Sequence, residues 1–470
     1  MHKNAILYGQ LTNGLQKKTL ETLSRILMDY CKVYPVCLEY DSTADYTAYR
    51  CFYIGTKVSN PYIAQNSNVL LSAPESYHIC VKDDRVIIEG FDDAGVLYGC
   101  IDFYNKYITR YEYASEADDV LAHTWHNIFA DKLPDFEHTS APTVSNRGIW
   151  TWGHVIYDFR GFIDHMVKLK MNTLIIWNDF VPVNAGEMIQ YAHNCGVKVI
   201  LGFAWGWDTH CKDLSLKTLD GQTEKIFSKF KKEFAGLDID GIYFQSITEV
   251  KTEYMEGILV ADAVTDFVNR TAKLFFEVNP ELELQFGLHA TSVKNRLDVI
   301  KRVDPRIRIV WEDCGAIPFS YFPHIVENFD ETKAFAKQAA ALRGADDKFG
   351  AVTKGFTKLS WTKFEHLTGP IFLGTSPDSV QRDKIIERQK VWKYFQAYWL
   401  KNGAKALEII KAMADAKDGD LYITALVEDG MFEKNLMYPV ALYSEMLWDC
   451  NADFQDLMSE VALRSDVVFA

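Results

Sequence analysis

A chain of 470 residues, 48% of them hydrophobic, carries more apolar material than one ordinary domain needs, so two or three packed units are expected and a disordered protein is excluded. Its formal net charge of -14 disfavours nucleic acid and anionic membrane surfaces as partners, because both attract faces rich in Lys and Arg. The nine cysteines are odd in number and show no C-x-x-C spacing, which fits buried thiols in a reducing compartment better than a disulfide framework or a zinc site. No apolar run approaches a membrane span and Met1 to Gly9 has no signal-type apolar region, so a cytoplasmic location is expected.

Residues 1–110 read as a small α/β accessory domain. Ala5 to Tyr8, Val36 to Glu39 and Cys51 to Ile54 have strand character, while Leu15 to Cys31 places Leu20, Leu23 and Ile26 at helical spacing. Tyr77 to Val81 and Arg85 to Gly90 flank the polar turn Lys82-Asp83-Asp84 and predict a hairpin. Asp92 and Asp93 then open a helix, where the dipole favours acids. Residues 111–145, with turn-rich segments around Pro134 and Pro142, predict a connector.

From Asn146 the rhythm changes to alternating strands and helices, and 146–450 predicts a (β/α)8 barrel, with 451–470 as a tail. Expected strands are Arg147–Thr151, Thr173–Trp177, Lys198–Ala204, Gly241–Gln245, Leu282–Leu288, Ile307–Trp311, Gly350–Thr353 and Leu421–Val427. Thr173 to Trp177 is continuously apolar, as a parallel strand buried on both faces must be. Asp158 is a candidate helix cap, and Asp378 to Met413 predicts two helices. A doubly wound open sheet is the rival, but no strand is followed by a glycine-rich phosphate turn.

The C-terminal ends of barrel strands converge on one mouth, so the residues there belong together. They are Trp150, Trp152 and His154; Asn178 and Asp179; Trp205, Trp207 and Asp208; Gln245 and Glu249; His289; Trp311, Glu312 and Asp313; Lys354, Trp361 and Glu365; and Glu428 and Asp429. Carboxylates and aromatics recur at nearly every strand end, which is the pattern of a sugar site. Glycoside hydrolysis needs one carboxyl group held protonated and another ionised. Glu249, behind Tyr243, Phe244 and Ile247, is the candidate proton donor, and Asp313 or Glu312 the base or nucleophile. Glu312 and Asp313 are adjacent, so only one is expected to face a substrate directly. Trp205 and Trp207 are candidates for stacking on a sugar ring or for loop packing. Arg147 is a candidate substrate clamp or an ion pair at the barrel floor. His289 suits a substrate contact or a core hydrogen bond equally, and Glu365 and Glu428 are further candidate acids. The 12 His show no metal-ligand spacing, so neither metal nor cofactor is expected.

The hairpin and helix of Tyr77 to Gly99, the Arg147-Gly148 entry to the first strand, and the barrel after them resemble the domain order of family 67 α-glucuronidases and family 20 β-hexosaminidases. Asp240 to Glu249 is similar to the stretch carrying the general acid in the first family, with Thr248 in place of Ser. The hexosaminidases carry an adjacent Asp-Glu pair there, and this chain reads Thr248-Glu249. The resemblance implies a hydrolase acting on an oligosaccharide or glycoside, with an acidic or substituted sugar, and Glu249 as acid. A β-N-acetylhexosaminidase-like retaining enzyme is the alternative, and a non-catalytic carbohydrate-binding barrel is the alternative from another class. Val250-Lys251-Thr252-Glu253 departs from the family's continuation after the acid, and its base motifs find only Asp313 and Glu365 as positional counterparts.

Overall fold

Short runs of β-branched and aromatic residues near the N-terminus form one six-stranded sheet. Its strands are β1 (Lys3–Tyr8), β2 (Val36–Glu39), β3 (Tyr49–Gly55), β4 (Tyr77–Lys82), β5 (Arg85–Gly90) and β6 (Phe136–Ser140), ordered β2-β1-β3-β5-β4-β6. β4 and β5 are the expected hairpin, paired antiparallel from Tyr77↔Gly90 to Lys82↔Arg85. Helices α1 (Gly14–Cys31), α2 (Pro61–Asn66) and α3 (Asp93–Asp102) accompany the sheet, and the Asp92 side chain caps α3 by accepting the Gly95 N–H. β6 lies within the stretch expected to be irregular. Pro142 falls beyond it, and the alternating run Phe136 to Ser140 pairs with β4. The computed structural model describes residues 3–31, 34–114, 132–178, 180–206, 215–247, 253–289, 294–322, 328–357, 369–427 and 432–470. The chain divides into two units, one made of Met1–Pro142, His193–Gly196 and Gln455–Val467 and the other of Thr143–Ala192, Val197–Phe454 and Val468–Ala470.

The second unit is the expected barrel. β7 (Asn146–Trp152), β8 (Thr173–Trp177), β9 (Lys198–Ala204), β10 (Gly241–Gln245), β11 (Glu283–His289), β12 (Ile307–Glu312), β13 (Phe349–Phe356) and β14 (Leu421–Val427) pair in parallel, each with the next, and β14 closes on β7. Helices α4 (Phe159–Lys168), α5 (Ala185–Asn194), α6 (Leu216–Lys229), α7 (Val260–Val278), α8 (Phe329–Ala340), α9 (Asp378–Ala414) and α10 (Tyr438–Trp448) follow strands as crossovers must. Asp158 does cap α4, accepting from the Arg160 and Gly161 amides. α9 is one helix of 37 residues where two were expected. Pro is absent from its interior and the lone Gly403 costs only about 1 kcal/mol, which burial of Trp392, Phe395, Trp399, Leu407 and Ile410 outweighs. No helix of the described residues is long and apolar enough to cross a membrane.

Strand alternation fixes which side chains enter the barrel. At the N-terminal end Arg308 points inward, 2.6 Å from Glu283 and 3.0 Å from Asp420, with its guanidinium 3.9 Å from the centre of the Tyr422 ring. Lys198 Nζ donates to Asn146 Oδ1 at 2.8 Å on the same floor. This closes the barrel base with paired charges and leaves the opposite end for chemistry.

Candidate functional site

At the C-terminal end of the barrel three aromatic rings meet. Trp150 of β7, Trp177 of β8 and Tyr243 of β10 have centroids 5.8–6.1 Å apart, and Trp152 stands edge-on to Trp150 at 4.9 Å. These positions follow from parity: Trp150 and Trp152, and Tyr243 and Gln245, are successive inward residues of their strands.

Beside these rings lies Glu312, the last residue of β12 and only 6% exposed. Its Oε1 accepts from the Tyr243 hydroxyl and from the Gln245 amide. No hydrogen bond from a described residue engages Oε2. β10 and β12 are not neighbours; β11 runs between them. Their side chains meet because β11 has Gly287 at that level, where a Cβ would collide with both the Tyr243 hydroxyl and Glu312 Oε1. Burial above all, and then the Glu312 charge, raise the Tyr243 pKa well above its ordinary value. The phenol therefore stays protonated and remains a donor to Glu312.

The other inward residues surround this group. His289 is half-buried at the end of β11, opposite Glu312 in the strand register. Asn178 follows β8, is buried, and donates from its side chain to the Phe180 carbonyl. Lys354 is buried on β13, in which an extra residue is inserted between Thr353, opposite Ala425, and Phe356, opposite Val427. Such a bulge re-aims the side chains around it.

Asp313 is placed differently. It is 1% exposed; Oδ1 accepts the Ala316 amide at 3.0 Å, and Oδ2 those of Ile317 at 3.1 Å and Lys354 at 3.4 Å. Burial raises its pKa, opposed by these backbone donors. Of the two adjacent acids, Glu312 is the one turned toward the barrel axis.

Three expectations are corrected. Arg147 is no substrate clamp: it sits at the N-terminal end of β7, 1% exposed, donating to the carbonyls of Lys170, Val144 and Ser145, with its guanidinium over Trp448. Trp205 is 0% exposed and lies flat on Phe244, centroids 3.7 Å apart, with Phe275 of α7 behind it, so it packs the barrel wall rather than a sugar. Trp311 has the opposite parity to Glu312 and points outward to Phe335 of α8. Asp179, Trp207, Glu249, Trp361, Glu365 and Glu428 lie outside the described residues.

No family model matches the sequence, and no curated protein matches it. Solved structures do. A GH138 enzyme targeting pectin rhamnogalacturonan II superposes over 97% of this chain with a TM-score of 0.55 at 13% identity. A GH115 4-O-methyl-α-glucuronidase with specificity for decorated arabinogalactans does so over 95% with a TM-score of 0.54 at 14% identity. The chain spans 65% and 56% of the length of these two. A β-N-acetylhexosaminidase from Bacteroides fragilis superposes over 98% of this chain and 90% of its own, with a TM-score of 0.53 at 13% identity. At these identities the likeness establishes the fold: a TIM barrel with an additional N-terminal domain.

Sequence reasoning passed over Tyr243 and Trp177 as parts of the site, although inward parity with Gln245 and Trp150 marks both. It also passed over Glu433, in the segment after β14. Glu433 is 4% exposed; its Oε1 accepts the Tyr157 and Asp158 amides before α4, while Oε2 is buried with no hydrogen-bond partner among the described residues. Burial pushes its pKa up to about 7 from 4.5, the amides acting against this and the nearby Asp158 charge adding to it. A folded-state pKa above the unfolded value means that stability present below pH 4.5 is lost as pH rises through about 7. The loss is on the order of 3 kcal/mol. In urea titrations from pH 5 to 8, Glu433→Gln is expected to gain stability relative to wild type as pH rises. A pH-independent difference would refute this assignment.

Proposed function

We propose that the chain is a glycoside hydrolase in which Glu312 is the ionised carboxylate, acting as base or nucleophile, and Glu249 the proton donor. The observation that carries the reading is the pairing of Tyr243 and Gln245 on one oxygen of Glu312. Two donors stabilise the carboxylate and fix its rotamer, leaving Oε2 to receive a proton from water or to attack an anomeric carbon. The Trp150, Trp152 and Trp177 rings supply apolar faces of the kind a pyranose stacks against. The similar structures that are glycoside hydrolases support the same class.

For substrate, the resemblance of Asp240 to Glu249 to the α-glucuronidase acid segment favours an acidic or substituted sugar. The similar β-N-acetylhexosaminidase makes N-acetylhexosaminides the alternative. The test is a panel of aryl glycosides that includes an α-glucuronide and an N-acetyl-β-glucosaminide, run on wild type and Glu249→Gln. Turnover by wild type that collapses in Glu249→Gln, less steeply for the better leaving groups, is the expected result. Thermal stabilisation by a sugar without turnover of any glycoside would instead indicate a binding barrel. For a hydrolysed substrate, retention of anomeric configuration implies a carboxyl separation of about 5–5.5 Å and inversion about 6.5–9.5 Å.

A further inference from the structure

The carboxylate of Asp313 ties together two pieces of backbone that the strand ladder alone does not fix. One is the turn Gly315 to Ile317 after β12, held through the Ala316 and Ile317 amides. The other is the Lys354 amide on β13. The Asp313 N–H completes the link by donating to the Val352 carbonyl at 2.8 Å.

What this link controls is the direction of Lys354. Thr353 faces outward, with its hydroxyl 3.4 Å from that of Tyr443 on α10, and Phe356 faces outward onto Trp399 of α9. Two outward residues with two between them are possible only because of the bulge, where Gly355 takes φ +30. Lys354, next after Thr353, is thereby sent inward, one inward step beyond Val352, the register partner of Glu312. A bulge is a weak point of the ladder, so the side chain it aims depends on whatever else holds its backbone.

We propose that Asp313 is a positioning residue: its carboxylate pins the Lys354 backbone at the β13 bulge and so holds the Lys354 ammonium at the Glu312 end of the barrel. The catalytic part of this proposal rests on the function proposed above; the structural part does not. The two are separated by measuring lysine accessibility as well as turnover. Asp313→Ala and the near-isosteric Asp313→Asn are treated with formaldehyde and cyanoborohydride, and methylation of individual lysines is followed by mass spectrometry. Lys170, buried in an ion pair with Glu445 3.2 Å away, reports global loosening.

In Asp313→Ala the rate at Lys354 is expected to rise about fivefold or more while that at Lys170 stays at the wild-type value, with Asp313→Asn between wild type and Ala. On a glycoside that wild type hydrolyses, kcat per folded molecule is expected to fall about tenfold, with the acidic limb of the pH profile retained. An unchanged Lys354 rate, or equal rises at Lys354 and Lys170, overturns the proposal. So does a loss of about a thousandfold or more together with the pH limb, which would make Asp313 the base itself. A panel in which no glycoside is hydrolysed overturns the proposed function alone, and the Lys354-to-Lys170 ratio still decides whether Asp313 holds Lys354.

Discussion

Glu312→Gln is expected to lower kcat by roughly 10²–10⁴-fold on whichever glycoside the wild type hydrolyses, with thermal stability close to that of the parent. The substitution keeps the shape of the side chain, and the amide oxygen still accepts from Tyr243 and Gln245, the two donors that now meet on Oε1. What it removes is the negative charge and the basicity of Oε2. If Glu312 were only a strand terminus, the variant would retain activity, because nothing that holds the fold would have changed. Steady-state kinetics beside a melting curve distinguishes the two outcomes. A variant that melts normally and turns over at the parental rate would end the assignment of Glu312. Comparison with Glu249→Gln adds a second constraint: the loss in an acid variant shrinks as the leaving group improves, whereas the loss at Glu312 should be nearly the same across leaving groups.

The barrel was legible in the sequence because its strands announce themselves in two independent ways. Runs such as Thr173 to Trp177 and Leu421 to Val427 are apolar except for Thr173 and Thr424, as strands covered on both faces must nearly be, and turn or cap signals such as Asp158 bound them. Glu312 and Gln245 were legible for a related reason, being polar residues at the end of an apolar run. The orientation of aromatics was not. Trp150, Trp205 and Trp311 all stand at strand ends, yet only Trp150 faces inward, since one residue of difference in register turns a side chain from the mouth to the helix layer. Composition is blind to that parity, and so is a list of residues at strand ends. Arg147 escaped for another reason: its partners include main-chain carbonyls, which carry no residue-type signature. Tyr243 was hidden by its own apolar character, because only the absence of a side chain at Gly287 lets its hydroxyl reach across β11 to Glu312.

The same parity makes the fate of Trp205 a sharp expectation. Trp205→Ala is expected to destabilise the protein by about 3–5 kcal/mol, the range for removing a fully buried large aromatic side chain. The ring is wholly inaccessible, stacked on Phe244 with an interplanar angle of 9° and backed by Phe275, so its removal leaves a cavity between the barrel wall and α7. Neighbouring rings cannot all close that gap, because Phe244 also stacks on Phe286 at 5.0 Å and Phe275 packs on Phe230 at 4.3 Å. A urea titration should show a lower midpoint with little change in slope. KM measured well below the unfolding range should stay near the parental value, since no atom of Trp205 lines the barrel interior. A sugar-stacking Trp would give the reverse, a raised KM on a stable fold, and that outcome would place the inward face of β9 one residue away from where the strand register puts it.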